Sequence, residues 1–184
     1  MAAEDLSRIR RVPGRLSIGP TSLVTAYPHG GTAVGVVNDI AIEVVETTVP
    51  ITAEEYGTEV VDVLYTGTRW GIAALLRQVP DDDVIQRVFP STVVGAVTGA
   101  RVVQHPGTTR AGTLLSANVF VLMFTPDDPR APHVIFHRVI PQLAERVVIS
   151  LALNREVALA VSFTAIRAAD GRAVSIGDIQ DLVL

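Results

Sequence analysis

The period of the apolar residues constrains this chain more than any other feature. Across residues 34–49 Val, Ile and Thr dominate, with Ile40, Ile42 and Val44 on one side of an extended chain and Asp39, Ala41 and Glu43 on the other. Alternate side chains of a strand point to opposite faces, so this pattern predicts a strand with one buried and one wet face. The phase slips near Val45-Glu46, where a bulge is expected. Residues 50–58 read as a loop, 59–66 as a second strand and Thr66-Gly67-Thr68 as a turn. Residues 69–77 fit a strand or a helix, and the glycine turn before them favours a strand.

Pro80-Asp81-Asp82-Asp83 then places proline and three carboxylates where a helix begins, with the acids at the positive end of its dipole. Val84, Ile85 and Val88 form its apolar stripe and Pro90 stops it. This is the one short helix the sequence predicts. The second half returns to period two, with strands expected over 114–124, 133–140, 145–153 and 156–168. In the last of these Val157, Leu159, Val161 and Phe163 share a face. Residues 125–129 read as a turn, and Asn154-Arg155 and Asp170-Gly171 as hairpin turns, the latter followed by a short strand. Turn signals at roughly ten-residue spacing predict an all-β sandwich or barrel. Residues 1–17, which include Arg8, Arg10, Arg11 and Arg15, show no period and read as an extended N-terminal arm. Residues 18–184 read as one β domain.

Composition narrows the functional classes. With 48% apolar and 18% charged residues over 184 positions, the chain is no disordered polymer. It is also more apolar than a lone soluble monomer of this size needs, and the surplus goes to a large core or to subunit contacts. A net charge of −4 recruits no nucleic acid by bulk electrostatics. The chain has no cysteine and no lysine, which excludes disulfides, thiol nucleophiles, Schiff bases and a P-loop lysine. The opening residues lack the apolar core of a secretory signal and no apolar run reaches membrane-spanning length, so a soluble chain without a membrane anchor is expected. Charge is segregated. No arginine lies between Arg15 and Arg69, and that interval holds seven acids: Asp39, Glu43, Glu46, Glu54, Glu55, Glu59 and Asp62. Such an interval is either a solvated acidic face or a shared surface that must repel something.

No catalytic constellation assembles. His133-x-x-x-His137 has helical metal-site spacing but lies in a strand pattern, where positions i and i+4 are about 13 Å apart. Pro28-His29-Gly30-Gly31 reads as a turn, since no Gly-x-Ser-x-Gly elbow accompanies it. Asp81-Asp82-Asp83 lacks the alternate spacing of a calcium loop. Gly95-Ala-Val-Thr-Gly99 is half a dinucleotide fingerprint without its third glycine. Glu54-Glu55 with Glu59 has acid–base chemistry but sits in a predicted exposed loop. The expectation is no enzyme, no cofactor and no metal.

The run Pro50-Ile-Thr-Ala-Glu-Glu-Tyr-Gly-Thr-Glu-Val-Val-Asp-Val-Leu-Tyr-Thr-Gly67 resembles the tail tube proteins of bacteriophages: an acidic or amide pair, then Gly-Thr, then Val-Asp, then a Thr-Gly turn. Glu54-Glu55 stands where that pattern has Asp-Gln. Gly19-Pro20-Thr21-Ser22-Leu23 ahead of the run, the acidic strand with Glu43, and Val88-Phe89-Pro90 after it extend the resemblance over about residues 18–90. The inner tube of contractile injection systems is similar. The resemblance implies hexameric rings that stack into a tube, each subunit giving about four strands to a shared inner β-barrel. Some 24 strands spaced 4.8 Å apart and tilted near 40° close to a backbone diameter of roughly 48 Å, wide enough for a double helix.

The implied function is a structural virion protein that conducts the genome during ejection, assembled in the host cytoplasm. Its implied partners are further copies of itself, baseplate or tail-tip proteins, a tail terminator, a tape measure protein and, in a contractile tail, a sheath. DNA is met only in transit. Asp39, Glu43, Glu46 and Asp62 become lumen-lining candidates, since carboxylates let phosphates slide. Arg8, Arg10, Arg11 and Arg15 in the arm and Glu54, Glu55 and Glu59 at the loop become inter-ring candidates. Alternatives are another ring-forming tail protein such as a terminator, or a small-molecule-binding or hydrolytic β-barrel acting as a monomer or dimer.

Overall fold

Alternating apolar residues, bounded by Gly, Pro and Asp, produce ten strands in the computed structural model, which describes residues 13–35, 37–52, 60–77, 84, 87, 88, 93–97, 100–104, 118–142 and 159–184. They are β1 (Gly14–Ile18), β2 (Thr32–Ala33), β3 (Val37–Thr52), β4 (Val60–Leu76), β5 (Val93–Val97), β6 (Ala100–Gln104), β7 (Phe120–Pro126), β8 (His133–Gln142), β9 (Leu159–Ala165) and β10 (Val174–Gly177). Eight form one sheet in the order β2-β1-β7-β8-β9-β4-β3, with β10 also paired to β8, while β5 and β6 form a separate hairpin. Every pairing is antiparallel. The fold is all-β.

One cluster joins Leu16 and Ile18 of β1, Phe124 of β7, Phe136 of β8, Phe163 of β9 and Ile72 of β4. Strands from the two ends of the sheet share that core, so the sheet curls around it, nearer a barrel than two stacked sheets. Val84 and Val88, at the predicted helix, are helical and buried in the same cluster. Arg87 beside them is helical and exposed; the remaining positions of 80–90 lie outside the described residues, as do the strand expected at 145–153 and the Asn154-Arg155 turn. Near β1, β7 and β8 the opposite face is covered too. Ser17, Met123 and Ile135 are neighbours in register and fully buried, and the 19–31 loop folds over this side, pinned where His29 Nε2 meets Thr125 Oγ1 at 3.0 Å.

Several local expectations change. Gly14–Ile18 is strand β1 inside the sheet, so residues 14–17 of the predicted arm belong to the β domain. Thr66-Gly67-Thr68 is no turn: the ladder runs straight through it, and the two strands expected around it are the single 17-residue β4. The sequence there marks a bulge, because Thr47 pairs with Gly67 and the next residue, Thr48, with Tyr65, leaving Thr66 extra. Gly67 takes the bend at φ 152°, a conformation open to glycine. Pro50, Ile51 and Thr52 continue β3 instead of starting a loop. The ladder is regular through Val45-Glu46, and the bulge in β3 lies at Asn38–Ala41 instead, where Asp39 adopts φ 52°. Asp170-Gly171 does turn the chain, with Gly171 N–H donating to Ala168 O at 3.0 Å. It does not join neighbouring strands: β9 and β10 both pair with β8, one after the other along the same strand.

Candidate assembly surface

The β3–β4 hairpin is longer than the core it serves. At its base Ile40, Ile42, Ile72, Ala74 and Trp70 pack on the cluster. Beyond Trp70 the pair continues as a two-stranded ribbon. There, among the described residues, β4 has no other strand neighbour, since β9 pairs with Gly71–Leu76. Among the described residues, the outer edge of β3 over 41–52 has no strand partner either. Unpaired backbone edges of this kind are templates for another strand.

Residues opposite one another in an antiparallel ladder share a face. The core-side face of the ribbon therefore carries Val44 with Trp70, Glu46 with Thr68, Thr48 with Tyr65, Pro50 with Val63 and Thr52 with Val60. The outward face carries Ala41 with Ala73, Glu43 with Gly71, Val45 with Arg69, Thr47 with Gly67, Val49 with Leu64 and Ile51 with Asp62. Val44, Val45, Val49, Ile51, Val60, Val63, Leu64 and Tyr65 keep between 37% and 57% of their surface exposed. Past the Thr66 bulge the ribbon carries exposed apolar side chains on both faces, with Asp62 charged among them. The bulge is held locally: Thr66 Oγ1 donates to Thr47 O at 2.8 Å, and the hydroxyls of Tyr65 and Thr68 meet.

Nearer the base the outward face changes character. Ala41, Gly71, Ala73, Ser162 and Thr164 make a floor of small residues, and a shallow recess there is bordered by Glu43, Val45 and Arg69. Glu43 lies over Gly71, close enough that a Cβ on the glycine would sit 3.9 Å from its carboxylate.

The four lumen candidates do not share one surface. Glu43 is on the outward face at the base. Asp62 is on that face in the apolar tip, its carboxylate accepting from Val63 N–H at 2.7 Å. Glu46 lies on the opposite face from Glu43, because the strand keeps strict alternation between them. Asp39 sits at the basal bulge, exposed. Of the inter-ring candidates, Arg15 is held inside its own subunit. It lies in β1, donates to Asp127 Oδ1 at 3.2 Å and stacks over Tyr27 at 5.5 Å from the ring centroid. Arg8, Arg10, Arg11, Glu54, Glu55 and Glu59 lie outside the described residues, as does Asp81-Asp82-Asp83.

His29, His133 and His137 are built into the β1–β7–β8 end, and His105 lies outside the described residues. His29 is buried, with Nδ1 at 2.8 Å from Thr25 O. A carbonyl only accepts, so Nδ1 carries the proton. His137 is buried with Nε2 at 2.8 Å from Ser175 Oγ. This pair has the outline of a nucleophile and its base, but the nearby Asp170 is committed to Arg172 at 2.6 Å, which holds its carboxyl below the usual range. Burial pushes His137 below its ordinary pKa, Arg172 adds to this, and Asp170 opposes it. His133 is lowered by burial and by His29, against Asp178. Among the described residues no three His, Asp or Glu side chains gather as a metal site. Residues 93–97 and 100–104, the neighbourhood of the half dinucleotide fingerprint, pair as the hairpin β5–β6.

The sequence did carry a signal for the ribbon that periodicity counting passes over. Val44-Val45 and Val63-Leu64-Tyr65 are adjacent apolar residues within strands, and adjacent positions face opposite ways. Such runs mean that both faces are apolar.

No family model matches the chain, and no curated protein does. Among solved structures it is similar to the tube-terminating cap of the anti-feeding prophage, at 8% identity and a TM-score of 0.43, over 97% of this chain and 98% of that one.

Proposed function

We propose that the chain is a structural subunit of a phage-type tail tube, closing into hexameric rings that stack into a conduit for DNA. The observation that carries this reading is the β3–β4 ribbon: two backbone edges without a strand partner among the described residues and exposed apolar side chains on both faces, extending past the core of its own subunit. A two-stranded ribbon is marginal in water by itself. Further copies of the chain supply both strand partners and cover, and a heterologous contact repeated around an axis closes into a ring. The core-side face of the ribbon then rests on a neighbouring subunit, and the apolar tip is enclosed between subunits.

The small, polar outward face at the base is the part of the sheet suited to a wet channel. Glu43, with Asp39 at the basal bulge, is assigned to the lumen. Glu46 and Asp62, on the other face and in the tip, are assigned to subunit contacts. Arg8, Arg10 and Arg11, before β1 in sequence, and Glu54, Glu55 and Glu59, between β3 and β4 in sequence, are assigned to opposite-charge contacts across stacked rings. Baseplate or tail-tip proteins, a terminator and a tape measure protein are the further partners of such a tube, and the virion is its place.

Native mass measurement and negative-stain imaging of the purified chain test the reading. Hexamers and stacked tubes are the expected result. Single rings that never stack point instead to a terminator. A monomer at every concentration from micromolar to millimolar refutes ring assembly.

A further inference from the structure

We propose that Arg69 places a ring of cations on the channel face of the tube, where it touches the phosphate backbone in transit. The inference rests on the tube reading and concerns what the lumen does to its cargo. In the sequence Arg69 merely ends the arginine-free interval. In the fold it stands directly opposite Val45 on the outward face, two positions along β4 from the Gly71 that faces Glu43. Arg69 and Glu43 are both exposed, and among the described residues neither forms an ion pair. Around them Ala41, Gly71, Ala73, Ser162 and Thr164 are short. A guanidinium on a three-carbon stem rises higher from such a floor than the Glu43 carboxylate on two, so it meets an approaching duplex first.

The balance of charge supports contact over repulsion. Asp62, on the same face, is seven positions up β4, about 20 Å away at the rise of a strand. Physiological salt screens charges over about 8 Å, so Asp62 does not offset Arg69. Asp39, also assigned to the lumen, is six positions along β3 from Val45, the partner of Arg69, again about 20 Å and beyond that screening length, so the annulus at this level is one Glu43 and one Arg69 per subunit, neutral in sum. A neutral annulus does not exclude phosphate, and a guanidinium binds it in paired hydrogen bonds. The lumen then exerts a salt-dependent drag on DNA at this level.

Inorganic polyphosphate is a probe thin enough to enter the bore of tubes assembled from the purified chain, and equilibrium dialysis reads its retention. Wild-type tubes should retain it, with affinity falling about tenfold or more between roughly 50 and 200 mM salt. Arg69→Gln tubes should lose at least tenfold in retention, and Glu43→Gln tubes should gain. Equal retention by wild-type and Arg69→Gln tubes of normal morphology overturns the inference and leaves the tube reading intact. An Arg69→Gln chain that melts normally but forms no tubes also overturns it, since Arg69 then serves a subunit contact. If the wild-type chain forms no tubes, the tube reading falls first and this inference with it.

Discussion

Leu64→Thr separates an assembly surface from an idle one. Leu64 sits in the apolar tip opposite Val49 and keeps 54% of its surface exposed. Threonine is as good a strand residue, so the ribbon itself should persist. In the isolated subunit the side chain touches little that matters, and stability should stay within about 0.5 kcal/mol. In a ring the exposed part is covered. About half of a leucine surface is roughly 100 Å², which at 25 cal/mol per Å² amounts to about 2.5 kcal/mol. Threonine keeps one methyl, so the loss per contact is about 1.5–2 kcal/mol, or roughly ten- to thirtyfold in the association constant.

Light scattering across a dilution series reads the concentration at which rings appear, and thermal unfolding at high dilution reads the subunit alone. The expected outcome is a midpoint for ring formation at least tenfold higher, with an unchanged melting temperature for the monomer. In the proposed hexamer, six such contacts close together, so the transition should also be steeper than a dimer's. A midpoint within threefold of wild type, with identical melting, would show that Leu64 stays in water after assembly. The ribbon would then not be the surface that joins subunits.

Two further perturbations probe the frame that presents the ribbon. Gly31→Ala would drive a Cβ into the Ile18 carbonyl oxygen and to 2.8 Å from Gly19 C, backbone atoms that cannot turn aside; a loss of about 2–4 kcal/mol on chemical denaturation is expected, and a loss below about 0.5 kcal/mol would contradict that packing. Acid should also weaken the fold. His133 and His137 are held below their unfolded pKa of about 6.5, so as pH falls through that value the unfolded chain takes up protons the folded one resists. Stability should be highest above about pH 7 and decline until the lowered folded pKa values are passed. Since burial leads both shifts, His137→Asn should flatten the decline, and an equally steep profile in that variant would remove His137 from the account.

The fold class was legible because strand periodicity depends on nearest neighbours. Ile72, Ala74, Val161 and Phe163 alternate in the sequence and point into the core in the structure. What periodicity could not give was continuity. Thr66-Gly67-Thr68 has the composition of a hairpin turn, and only the partner strand decides that it is a bulge: Thr47 and Thr48 opposite it keep the ladder running. Asp170-Gly171 shows the same limit. The turn was read correctly, but which strand β10 would join depends on β8, more than thirty residues upstream. Arg15 was grouped with the arm by its neighbours in sequence. Its actual partners, Tyr27 and Asp127, are brought to it by the pairing of β1 with β7.

The bulges also bear on how a ribbon this exposed can be safe. A flat, apolar strand pair with free edges would pair with any copy in any register, and aggregation would compete with assembly. The β3–β4 ladder is interrupted three times, at Asn38–Ala41, at Thr47–Thr48 and at Ile51–Thr52. Each interruption leaves one residue unpaired and increases the local twist. A partner strand must match that twist, and a shift by one residue would put Glu43 where Val44 belongs. Slipped pairings thereby lose both geometry and burial, while the pairing in register keeps both. In the proposed ring, the features that break the simple strand pattern in the sequence would therefore be the ones that select a single pairing from the many contacts that its apolar faces would otherwise permit.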